Sequence, residues 1–96
     1  MNKYELGIVI RASLDEEALK AEMDAVIGYI ERFGGSVEKI DDWGRRKLAY
    51  EIEKQTEGFY SFITINAPAE MPKEVESRLN IRENVLRYLM IRKDAA

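Results

Sequence analysis

The chain has 96 residues, 46% of them hydrophobic, which is enough for one domain with one core and no covalent staple. It has no cysteine and no histidine, which excludes disulfides, thiol chemistry, cysteine-ligated metals and the side chain most used as a general base near neutral pH. Fifteen Lys and Arg against eighteen Asp and Glu leave a net charge of −3, so any binding to a phosphate backbone needs a local basic patch or a basic helper.

The longest apolar runs, such as Leu89-Met90-Ile91, are far too short to span a bilayer. The N-terminus runs straight into an alternating pattern with no signal-peptide stretch, and we expect a cytoplasmic protein with a single domain over 1–96.

The first element is a strand from Tyr4 to Ile10, where Tyr4, Leu6, Ile8 and Ile10 alternate with Glu5, Gly7 and Val9. Ser13-Leu14-Asp15-Glu16 has the spacing of a capping box, predicting Ser13 as the cap. The following helix carries a stripe of Leu19, Met23, Val26, Ile27 and Ile30, and Gly34-Gly35 ends it. A second strand starts at Val37, is interrupted at Asp42-Trp43-Gly44 by a bulge or a loop, and resumes with Leu48, Tyr50 and Ile52. Glu57-Gly58 reads as the turn into a third strand, Phe59 to Ala67, which Pro68 ends. A short helix from Met71 to Leu79 has Met71, Val75 and Leu79 on one face, with Asn80 as its C-cap. Val85 to Arg92 is the last strand.

The order β-α-β-β-α-β predicts an α+β fold: a ferredoxin-like βαββαβ sandwich, with a four-stranded antiparallel sheet and two helices on one face. The first and third strands are expected at its centre. Period 2 then assigns Val9, Tyr60, Phe62, Leu89 and Ile91 to the uncovered face, a contiguous apolar patch of the kind that marks a partner surface. Aromatic residues on such a sheet also stack single-stranded bases in some folds.

Charge is uneven. Asp15 to Phe33 carries net −4, a solvated acidic helix, and Arg78 to Lys93 carries net +4. Arg45-Arg46-Lys47 is a compact +3. The candidates for phosphate contact are therefore Arg45, Arg46, Lys47, Arg87, Arg92 and Lys93. There is no glycine-rich phosphate loop, no Ca²⁺-loop spacing among the acids, and no histidine to activate Ser13, Ser36, Ser61 or Ser77. No catalytic residue, cofactor or metal is expected.

Trp43-Gly44-Arg45-Arg46-Lys47-Leu48-Ala49-Tyr50-Glu51-Ile52, together with Leu79-x-Ile81-x-Glu83-x-Val85-Leu86-Arg87-Tyr88, resembles the bacterial small-subunit ribosomal protein S6 family. Tyr4-Glu5, Gly34-Gly35-x-Val37 and Glu57-Gly58-Phe59-Tyr60 extend the resemblance, in order, over about residues 3 to 93. It implies a ferredoxin-like fold and a non-catalytic role: binding small-subunit ribosomal RNA together with a small basic partner, ribosomal protein S18. A basic partner would also offset the acidity of this chain. Two other classes use the same topology. A metabolite-binding regulatory module needs a pocket at the helix–loop edge. An acylphosphatase-type enzyme needs a phosphate loop after the first strand, for which Arg11-Ala12-Ser13 is too short and lacks glycine.

Overall fold

The computed structural model describes residues 1–93; the last three residues of the domain expected over 1–96 lie outside the described residues. Six elements follow in the expected order: β1 (Asn2–Arg11), α1 (Glu16–Arg32), β2 (Ser36–Ile52), β3 (Gln55–Ala67), α2 (Met71–Leu79) and β4 (Val85–Arg92). All neighbouring strands are antiparallel, in the order β2-β3-β1-β4, so the first and third strands are central as expected. The core is one cluster. Leu6, Ile8 and Ile10 of β1 and Ile63 and Ile65 of β3 are buried against Val26 and Ile30 of α1 and Met71, Val75 and Leu79 of α2. Alternate residues of the central strands thus serve one face of the sheet, and both helices cover that face.

The structure corrects two local expectations and decides a third that the sequence left open. The cap of α1 is Asp15, not Ser13: Asp15 is extended, and its Oδ1 accepts the Ala18 amide at 2.8 Å. A carboxylate at the cap, followed by Glu16 and Glu17, suits the positive end of the helix dipole. The C-terminus of α1 closes on Gly34 at φ +90°, with the Gly35 amide on the Ile30 carbonyl at 2.8 Å and the Gly34 amide on that of Glu31 at 3.1 Å.

The hairpin between β2 and β3 turns at Glu53-Lys54 rather than at Glu57-Gly58, and β3 accordingly starts at Gln55. Both turn residues have positive φ, 46° and 67°, as a type I′ turn requires. Neither is the Gly, Asn or Asp that normally signals such a turn, so the sequence conceals it. Finally, the interruption at Asp42-Trp43-Gly44 is a bulge inside one 17-residue strand: the register with β3 shifts between Asp42 and Gly44, and Gly44 takes φ +78°.

Candidate partner and nucleic-acid interface

The face of the sheet opposite the helices is built from three rows that run across the strands. Register aligns Lys39, Thr64, Glu5 and Ile91 in one row, Asp41, Phe62, Gly7 and Leu89 in the next, and Gly44, Tyr60, Val9 and Arg87 in the third. All five residues assigned to this face from periodicity are on it. Leu89 is 65% exposed and Ile91 is 43% exposed, whereas Tyr88 and Met90 pack inward against the core. Val9, Tyr60 and Phe62 are more covered, because they sit mid-sheet among one another. A shallow depression of about 210 Å³ runs between Val9, Tyr60, Phe62, Arg87 and Leu89.

Trp43 extends this surface. The bulge swings the edge strand so that the indole stands 4.8 Å from the Phe62 ring, tilted by 58°, and half exposed. Arg46 bends back beside it, its Nε donating to the Trp43 carbonyl at 3.2 Å and its guanidinium 5.8 Å from the indole centroid. Arg87 reaches the exposed ring of Tyr50 at 5.7 Å. Cations and aromatic rings therefore alternate on one surface.

The six basic candidates do not form one cluster. Successive residues of a strand point to opposite faces, which divides the compact Arg45-Arg46-Lys47 run. Arg46 lies with Trp43 on the open face. Arg45 turns to the helix side, 5.2 Å from the Phe59 ring, and its Nη2 donates to the Ala12 carbonyl at 3.2 Å. Lys47 is exposed, opposite Glu57 in the hairpin. Arg87 is on the open face, Arg92 donates to Asn2 Oδ1 at 3.0 Å, and Lys93 is paired with Glu5 at 3.7 Å.

One charge counted from sequence as a surface charge is buried, and it is held by a half-buried one. Glu22, assigned to the solvated acidic helix, is 4% exposed. Arg82 forks onto it: Nε donates to Oε2, and Nη2 donates to Oε1 at 3.0 Å. Arg82 Nη1 also donates to the Tyr29 hydroxyl at 2.7 Å, and Asn84 Nδ2 donates to Glu22 Oε1 at 3.3 Å. The hydrogen bonds from Arg82 hold the Glu22 carboxyl below its ordinary value despite its burial, and the same contacts raise Arg82. Glu22 stands in register with the apolar stripe, three residues after Leu19 and four before Val26; that was the signal of its burial. Its partner, 60 residues away, left no trace in the sequence.

No described helix is long and apolar enough to cross a membrane. The family model for ribosomal protein S6 matches residues 3–92. The small ribosomal subunit protein bS6 of Clostridium kluyveri is 45% identical over 92 residues, covering 96% of this chain and 97% of that protein. That of Clostridium novyi is 45% identical over 91 residues, covering 95% and 96%. The crystal structure of 30S ribosomal protein S6 from Thermotoga maritima superposes with a TM-score of 0.90 at 28% identity, covering 96% of this chain and 87% of that one. The C-terminal domain of the MgtC protein from Mycobacterium tuberculosis shares the fold alone, with a TM-score of 0.64 at 8% identity over 100% of this chain and 92% of that one.

Proposed function

This chain belongs to the ribosomal protein S6 family, and on that premise we propose that it binds small-subunit ribosomal RNA together with a small basic partner, ribosomal protein S18. It is a structural protein of the small ribosomal subunit, not an enzyme. The observation that carries the proposal is the open sheet face, where an apolar floor of Val9, Phe62 and Leu89 is bordered by Arg46 and Arg87. The floor suits a protein partner, because a contiguous apolar patch rimmed by polar residues marks an interaction surface, and its aromatic ring offers an anchor to bury. The arginines suit phosphate at the edge of the same contact.

Net charge supports a joint mode of binding. With −3 overall and a divided basic set, the chain alone neutralises few phosphates, and few phosphates mean low affinity at physiological salt. A basic partner on the open face would supply the missing charge. The test is a titration of a small-subunit ribosomal RNA fragment with this chain, with S18 and with both. The expected result is weak binding by the chain alone and tight binding by the pair. Sub-micromolar binding by the isolated chain, or no gain on adding S18, would overturn the proposal.

A further inference from the structure

The helix side of the sheet is covered incompletely. Ile40 of β2 stands opposite the fully buried Ile63, so it belongs to the helix-facing row, yet it is 40% exposed. Helix α1 leaves the bulged half of this edge strand bare, and a cleft of about 500 Å³ opens between them. Its apolar lining is Ile10, Leu19, Met23, Ile27, Ile40 and Phe59. Its polar lining is chiefly acidic: Glu16 and Asp24 from α1 and Asp42 from β2, against one cation, Lys20. Ser61 donates to Asp42 Oδ1 at 2.5 Å, which fixes that carboxylate at the cleft wall. Among the described residues, neither Glu16 nor Asp24 takes part in an ion pair.

An apolar slot edged by carboxylates outside any ion pair is complementary to one kind of chemistry. We infer that the cleft docks a basic amphipathic segment of a partner protein. The segment's apolar side chains enter against Leu19, Met23 and Ile40, and its Lys or Arg side chains meet Glu16, Asp24 and Asp42. The same carboxylates repel a phosphate backbone or an anionic lipid surface. They also repel the acidic α1 of a second copy, which carries Glu17 and Glu31 in addition. The cleft lies on the opposite side of the sheet from the open face, so this inference stands or falls independently of pairing there.

The test is a titration of the ¹⁵N-labelled full chain with a short amphipathic Leu/Lys peptide and, in parallel, with its Leu/Glu counterpart. The Leu/Lys peptide is expected to shift the amides around Leu19, Met23, Ile40 and Phe59, saturably and less tightly as salt rises. The Leu/Glu peptide is expected to leave them in place. The double variant Asp24→Lys and Asp42→Asn should weaken the Leu/Lys peptide about tenfold. Both positions are exposed, and the carboxamide introduced by Asp42→Asn keeps an acceptor oxygen for the Ser61 hydroxyl, so the fold should be retained. Met23→Gln removes an apolar anchor without touching charge and should weaken binding as well. Shifts centred on Val9, Phe62 and Leu89, equal affinity for the charge variant, or cleft shifts produced merely by concentrating the chain would each overturn the inference.

Discussion

The ring of Phe62 lies over Gly7 of the neighbouring strand, and a Cβ on Gly7 would come within 3.0 Å of Phe62 Cε1. The absence of a side chain at Gly7 is what lets the ring lie flat in the middle row of the open face. Trp43 then leans on that ring from the other side of the row. The shape of the proposed partner surface therefore depends on the smallest residue in it.

This gives a coupled prediction. Phe62→Ala should weaken pairing with S18 by about 2 kcal/mol or more, the scale of a central hot spot, and folding by less. Gly7→Ala should weaken pairing too, by displacing the ring. In a Phe62→Ala background, however, Gly7→Ala should have no further effect, because the ring it displaces is gone. A pairing titration and urea melts on the four proteins of this cycle check it. Additive effects would show that Gly7 acts on something other than Phe62.

The arginines of the open face should be distinguishable from the others by salt. If Arg46 and Arg87 each neutralise one phosphate in the joint complex, replacing both with Ala should lower the slope of log affinity against log salt by about two units. Arg45 donates to the Ala12 carbonyl on the helix side, so Arg45→Ala should leave that slope nearly unchanged. Filter binding over a salt series measures both.

Glu22 makes stability depend on pH with a defined sign. Its carboxyl is held below the ordinary value of 4.5 by Arg82. A depressed folded-state value stabilises the fold above the unfolded value, and that contribution is lost as pH falls through the folded value. Glu22→Gln should therefore cost about 1–3 kcal/mol at pH 7, where it leaves a half-buried guanidinium without its carboxylate. The difference from the wild type should shrink progressively below pH 4.5. Urea melts at a series of pH values read this directly, and a difference that stays constant well into the acid range would contradict it.

The turn at Glu53-Lys54 places two ordinary side chains in the left-handed region. Glycine adopts that region without steric cost, so Lys54→Gly should stabilise the protein by about 0.5–1 kcal/mol. Glu53 is better left in place, because it pairs with Arg11 at 3.5 Å. A rise in thermal midpoint with unchanged pairing is the expected outcome.

Periodicity along the chain determined most of what is local here. Alternation in β1 and β3 separates Leu6, Ile8, Ile63 and Ile65 from Val9, Tyr60 and Phe62, because a strand has two faces and burial selects one of them. The fold followed from the element order, since two helices on one face leave the other bare. What the tertiary structure alone decided is phase and long-range pairing. A bulge between Asp42 and Gly44 set which of Arg45 and Arg46 joins the open face, and a bulge of one residue reverses every side chain beyond it. The partner of Glu22 and the cleft beside Ile40 depend on how α1 lies across the sheet. No local pattern specifies that placement, because it is set by the packing of side chains brought together from distant parts of the chain.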